Sequence, residues 1–309
     1  MSIEFIIAII SAIVLVATPI LLAGLGELVV EKSGVLNLGV EGMMLIGAVT
    51  GFAVTSLSGN PYLGVLAAAC TGAAASMIFG FLTLTLSANQ VATGLALTIF
   101  GGGFSALAGK AFLGKTVPAF TQLFPDNLAG DPILKVIFGY SPIVYFSLVM
   151  CVATAWFLKR SRAGLILRAV GENDLSAHSI GYSVIGVRYA AVAFGGAMAG
   201  IAGSMFSLVL TPIWAEGLTA GRGWIALALV VFAAWKPYRL LVGAYIFGAV
   251  MTLEVHAKAA GGLFSALPSE LWAALPYLAT LIVLVIISMR RGSRSGAPAC
   301  LGKPFIPTA

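Results

Sequence analysis

Charge is what this sequence has least of. Asp, Glu, Lys and Arg make up 9% of its 309 residues, where a soluble globular domain carries about 25%, so the solvated surface of a soluble domain is excluded. With 60% hydrophobic residues and 37 glycines, the chain reads as an all-α polytopic transmembrane protein. Cysteine is scarce too. Of the three present, Cys70 and Cys151 lie in apolar runs and Cys300 near the end, with neither a disulfide framework nor metal-ligand spacing. There are two histidines. His256 follows Glu254 by two positions, which puts the pair on different faces of a helix and argues against a proton relay. No cluster of His, Asp or Cys has catalytic spacing, so no enzyme, metal site or cofactor is expected. A basic run ahead of Ile3 is also missing, and the first apolar run therefore reads as a retained span, not a cleaved signal. A net charge of +6 would hint at nucleic acid in a soluble protein. Here most Lys and Arg fall on one side of the spans, and the bias is one of topology.

Apolar runs of about 17 to 25 residues place spans at residues 3–25, 39–57, 63–86, 91–108, 142–158, 189–210, 223–235, 240–256 and 271–289. That gives about nine membrane-embedded helices in a single domain, residues 1–309, although 223–235 is short for a full crossing. The longest polar interruption, residues 159–188, sets Lys159, Arg160, Arg162, Arg168 and Arg188 against Glu172 and Asp174, and positive charge flanking spans marks the cytoplasmic side. Alternation from that loop also puts Lys236, Arg239 and the tail, residues 290–309, in the cytoplasm. The 110–141 loop and the N-terminus then fall outside.

Inside the 159–188 loop, Asn173 or Asp174 can cap a short helix over residues 175–180, and Gly181 can end it in a left-handed conformation that glycine adopts cheaply. Ser183 can cap the next helix. A helix of under two turns is unstable alone, so it needs a groove on a partner. Elsewhere, Gly196, Gly200 and Ser204 recur four apart, and the third span holds an Ala/Gly/Ser run, the pattern that lets membrane helices approach closely. Residues 109–116 (GKAFLGKT) satisfy the GxxxxGK[ST] pattern of a phosphate-binding loop. A real one joins a buried strand to a helix, whereas this octapeptide follows a span on the outer side and meets Pro118 soon after. It is not read as an ATP site.

The run LRAVGENDLSAHSIGYSVIGVRYAAVAFGGAMAGIAGS resembles the coupling loop of bacterial ABC importer permeases for nucleosides, simple sugars and branched-chain amino acids, whose pattern is roughly LRAVGENPxAAxxxGI. Asp174 stands where proline is usual and Tyr182 where isoleucine is usual. The segment GVLNLGVEGMM at residues 34–44 is similar to the family's GxLNLGxEGMM, and residues 219–228 to its TAGRGFIALA. Asn89-Gln90-Val91 is similar to an opening found in the nucleoside branch. The resemblance implies a transport subunit in a bacterial inner membrane. Its partners would be cytoplasmic ATP-binding subunits, an external substrate-binding protein and a second, different permease half. It assigns coupling to the ATPase to Arg168, Gly171, Glu172, Asn173, Asp174, Ala177, His178 and Gly181.

For the substrate path, residues 26–44 are neither apolar enough to span nor polar enough for a plain loop, and intramembrane polar groups are functional candidates. Glu27, Glu31 and Lys32 read as a solvated turn. Asn37 and Glu41 read as buried, lining the path or bonding neighbouring helices. Asn89 and Gln90 add amides, and Trp214 and Trp224 add rings near the outer mouth. This mixture suits a neutral polar cargo such as a nucleoside or simple sugar. An ion-coupled secondary transporter is the alternative. It would need midplane carboxylates in repeated halves, and Glu41 has no second-half counterpart.

Overall fold

A computed structural model describes residues 3–118, 120–125, 132–260 and 296–306, together with 268, 271, 274, 275, 278 and 285. Among these residues the chain is helical apart from connecting loops and one isolated antiparallel bridge between Thr116 and Ile213. In chain order the helices are α1 (Ile3–Lys32), α2 (Val40–Ser58), α3 (Pro61–Gly80), α4 (Gln90–Gly109), α5 (Pro132–Phe138), α6 (Pro142–Arg160), α7 (Arg162–Glu172), α8 (Asp174–Ser179), α9 (Val184–Met205), α10 (Arg222–Phe232) and α11 (Pro237–Ala260). Two continue into π-helical turns, α3 through Phe81–Thr85 and α9 through Phe206–Leu210. Six are long and apolar enough to cross a membrane: Phe5–Lys32, Val40–Ser58, Pro61–Thr85, Gln90–Phe112, Pro142–Arg160 and Val184–Leu210.

The centre of the bundle is α9, packed on α1, α2 and α3. The four-residue small-residue spacing works as the sequence predicts. A β-carbon on Gly200 would strike the Ala68 carbonyl of α3, and one on Gly203 would strike the Met44 carbonyl of α2. Helices that close gain dispersion contacts in place of a hydrophobic driving force that lipid cannot supply. Hydroxyls bridge the same seams, with Ser207 Oγ donating to Ala48 O at 2.8 Å and the Thr50 and Thr71 hydroxyls 2.8 Å apart. By contrast α4 buries a single stripe, Gln90, Gly94, Leu97, Gly101, Ser105 and Gly109, against α2, the segment 36–39 before it and Trp214.

Two expectations change, and the dismissal of residues 109–116 as a phosphate loop stands. The run at 223–235 forms α10, only 11 residues long and so about 16 Å, half of a hydrocarbon core of about 30 Å. The segment 26–32 is no solvated turn: α1 continues through it, and Glu27 and Glu31 are fully buried. One oxygen of each carboxylate finds a donor, Glu27 Oε1 accepting from Asn37 N at 3.2 Å and Glu31 Oε2 from Trp235 Nε1. Lys32 Nζ donates to Gly296 O at 2.6 Å. The 109–116 octapeptide ends α4, turns at Gly114 with φ of 74° and joins the Thr116 bridge, so the strand-to-helix setting of a phosphate loop is not there. The expected span at 271–289 lies largely outside the described residues, as do the side chains of Glu254 and His256.

Candidate functional site

Functional side chains gather at two places. The first is a junction deep in the bundle, where α2 and α10 both begin. Arg188 at the base of α9 donates to Ser33 O, while Met44 lies against Gly203, 15 positions further along α9 and about 22 Å away at 1.5 Å per residue. The chain therefore climbs through non-helical residues 35–39 before α2 starts. Irregular backbone at such depth must be satisfied by protein, and it is. Leu36 N donates to Gln90 Oε1 at 2.8 Å, Gly39 N to Asn37 Oδ1 at 2.9 Å, and Leu38 O accepts from Thr98 Oγ1 at 3.0 Å.

Helix α10 starts at Gly221, which is left-handed (φ of 78°) and offers no side-chain cap. Glu41 supplies one from α2. Its Oε1 accepts from Gly221 N at 2.8 Å and from the Thr219 hydroxyl, and its Oε2 accepts from Gly223 N at 2.7 Å. A carboxylate at orphan helix N–H groups is favoured by both hydrogen bonding and the helix dipole. The glycine at 223 is required by this contact, since a β-carbon there would lie 2.8 Å from Glu41.

The six path candidates do not converge. Asn37, Glu41 and Gln90 are buried, with their side chains holding backbone as described. Asn89 is exposed and caps α4 by accepting from Ala92 N at 3.0 Å. Trp214 is buried against Gly109, at the other end of α4 from Gln90. Trp224 is 40% exposed, on the first turn of α10. Arg222 donates to Leu218 O and stacks over the Phe206 ring, 4.9 Å from its centroid.

The second place is one end of the bundle, where α7, α8 and the tail meet the ends of α1 and α9. Asn173 Oδ1 caps α8 by accepting from Ser176 N at 2.9 Å. The helix stops as a Schellman turn: Tyr182 N donates to Ala177 O, Gly181 N donates to His178 O, and Gly181 has φ of 91°. Ser183 caps α9 through Gly186 N. Leu175 in α8 and Ile180 just after it are 50% and 71% exposed, whereas Ala177 is buried, so two apolar side chains stand outward beside the exposed Ser176, His178 and Ser179. Asp174 Oδ2 pairs with Arg188 Nη2 at 3.0 Å, and Arg188 is fully buried. Removing one partner of a buried pair costs on the order of 3 kcal/mol, so this pair ties α8 firmly to α9. Gly171 packs on the Lys32 carbonyl. Arg168 is half-buried, while Glu172 and His178 are exposed.

Residues 296–306 strap this end together. Cys300 N donates to Gly171 O at 2.9 Å and Gly302 N to Gly34 O at 3.1 Å. Phe305 packs with Val170, Ala177 and Val184, its ring 5.5 Å from that of His178. Sequence reasoning missed Thr219, the Arg188 pairing and Phe305. Only the first left a trace, since a helix start at Gly221 without its own polar cap asks for an acceptor from elsewhere.

Among the described residues, packed apolar helices, small-residue seams and a half-length capped helix are those of an all-helical polytopic membrane protein. Residues 9–285 match the family described as branched-chain amino acid transport system, permease component, and the chain belongs to that family. It is 39% identical to a Haloferax volcanii protein provisionally named glucose ABC transporter permease protein TsgC13, over 96% of this chain and 97% of that one. To the guanosine ABC transporter permease protein NupQ of Bacillus subtilis it is 30% identical, over 96% of each. To the nucleoside ABC transporter permease protein NupC of Lactococcus lactis it is 28% identical, over 90% and 91%. The protein is thus a permease subunit of the ABC importer class.

Proposed function

We propose that this chain forms one half of the translocation path of an ATP-driven importer of nucleosides or, failing that, of a simple sugar, paired with a different permease chain. The observation that carries the ATP coupling is α8: a six-residue helix, capped at both ends, with Leu175 within it and Ile180 just after it turned outward. Phe305 and the Asp174–Arg188 pair hold so short an element from inside the chain, and its exposed side chains are left for an ATP-binding subunit. Movement of α8 then passes through the Asp174–Arg188 pair into α9 and the core. In this reading the α8 end faces the cytoplasm and nine membrane-embedded helices alternate from it, with α10 and residues 211–221 together making one crossing. The loop at 159–188 and the tail at 290–309 lie inside, and the loop at 110–141 lies outside and meets the substrate-binding protein.

The cargo assignment rests on the guanosine, nucleoside and glucose relatives and on the amide and hydroxyl groups that Asn37, Gln90 and Thr219 bring to the junction. Trp224 offers a ring to the path, Asn89 an amide near its inner end, and Asn37, Glu41 and Gln90 shape it by holding the surrounding backbone. The test is purification on a tag at the last residue, mass spectrometry of what accompanies the chain, then reconstitution. ATP-dependent uptake of radiolabelled guanosine, or failing that of glucose, with co-purified ATP-binding subunits is the expected result. Uptake driven by an ion gradient without ATP would refute the reading, and uptake of charged solutes alone would refute the cargo.

A further inference from the structure

A second polar feature of the α8 end lies beside α8 and shares only Arg168 with the residues assigned to coupling. A cavity of about 470 Å³ opens between the end of α6, the end of α1, α7 and the turn from α10 to α11. Lys32, Lys159, Arg168, Lys236 and Arg239 all line it, and no carboxylate does. In a chain with only 17 basic residues this is a heavy concentration of one sign. None of the five forms an ion pair among the described residues, where the single one is Asp174–Arg188. Arg168 Nε is buried and has no hydrogen-bond partner. Two aromatic rings frame the cations, with Lys32 Nζ 5.8 Å from the Trp235 ring centroid and Lys159 Nζ 5.9 Å from that of Tyr238.

Like charges held in one concavity repel, and the repulsion is relieved by an anion that several of them share. The cavity's inner wall carries Ala155 and Leu158. From it the outward surfaces of α6 and α11 continue as an apolar band, with Val152, Trp156, Val242 and Ile246 each more than half exposed. A cationic pocket at a membrane end that opens onto an apolar helix surface matches an amphiphile with an anionic head and hydrocarbon tails. We propose that this cavity binds the phosphate headgroup of an anionic phospholipid, whose acyl chains lie along α6 and α11. The proposal does not depend on the cargo.

The test uses the intact transporter, purified in mild detergent from membranes and exchanged into mixed micelles with equal phosphatidylglycerol and phosphatidylcholine, followed by quantitative lipid mass spectrometry after washing. Wild type is expected to retain phosphatidylglycerol in preference. The triple variant Lys159→Gln, Lys236→Gln, Arg239→Gln is expected to lose that enrichment by about tenfold or more, since each basic residue near such a charge is worth about fivefold. Lys159→Arg with Lys236→Arg should keep it, as should Lys303→Gln, an exposed cation outside the cavity. Should the triple variant lose assembly, Arg168→Gln alone gives the same readout with a smaller loss. Equal retention of both lipids by wild type overturns the proposal, and so does unchanged enrichment in the cavity variants. A further arm adds inorganic phosphate at millimolar concentration: if it displaces the lipid as well as glycerol phosphate does, the site takes a soluble anion and the lipid assignment falls.

Discussion

The substitution Glu41→Gln probes the junction with the smallest change of shape. The carboxylate accepts from Thr219 Oγ1 and Gly221 N on one oxygen and from Gly223 N on the other. An amide has one acceptor oxygen and one donor nitrogen. Its best orientation keeps the Thr219 and Gly221 bonds and turns the NH2 toward Gly223 N–H, leaving two donors face to face beside a buried glycine. An unsatisfied buried N–H costs about 1–3 kcal/mol, and loss of the negative charge at the start of α10 adds up to about 2 kcal/mol in a buried setting. The total is about 1–5 kcal/mol. The assay is thermal unfolding of the purified complex, followed by tryptophan fluorescence, with Thr219→Val as companion. Thr219→Val removes one bond to the carboxylate and should cost about 1.5–3 kcal/mol. The double variant should fall short of the sum of the singles, because both act on the same cap. If Glu41→Gln melts with the parent, the carboxylate does not hold α10 and the account of the junction is wrong.

Four shorter predictions go with it. Gly181→Leu forces a side chain into φ of 91° at a cost of roughly 1–2 kcal/mol, and should lower solute moved per ATP while the complex still assembles. Gly200→Ala drives a β-carbon into the Ala68 carbonyl and should lower the yield and melting temperature of the complex, whereas Gly102→Ala, with open space around it, should be neutral. Phe305→Ala removes the ring that seats the tail under α8, at roughly 3 kcal/mol for a buried aromatic, and should raise the maleimide reactivity of Cys300. Finally, Asp126→Cys should label with an impermeant maleimide in whole cells while Cys300 reacts only after lysis; the reverse pattern overturns the orientation.

Much of the α8 end was legible because its rules are local. An asparagine cap, a left-handed glycine and a serine cap each act within four residues, so Asn173, Gly181 and Ser183 announce their roles in order along the chain. Glycine spacing on α9 is equally local, since a helix puts every fourth residue on one face. The apolar runs marked the long helices for the same reason.

What composition hid was every partner distant in sequence. Glu31 reads as a solvated charge until Trp235, 204 residues away, brings its N–H. Lys32 reads likewise until Gly296, 264 residues away, brings its carbonyl. Glu41 could line a path or bond a helix by sequence alone, and Thr219, 178 residues on, decides for bonding. Apolar length alone also made α10 a span, although its start is fixed at depth by that borrowed cap. The sequence by itself determined the membrane class, the long helices and the caps at the α8 end. Tertiary structure alone decided which polar side chains were spent on buried backbone and which cations came to share one cavity, because a polar group's role depends on the donor or acceptor that packing brings to it.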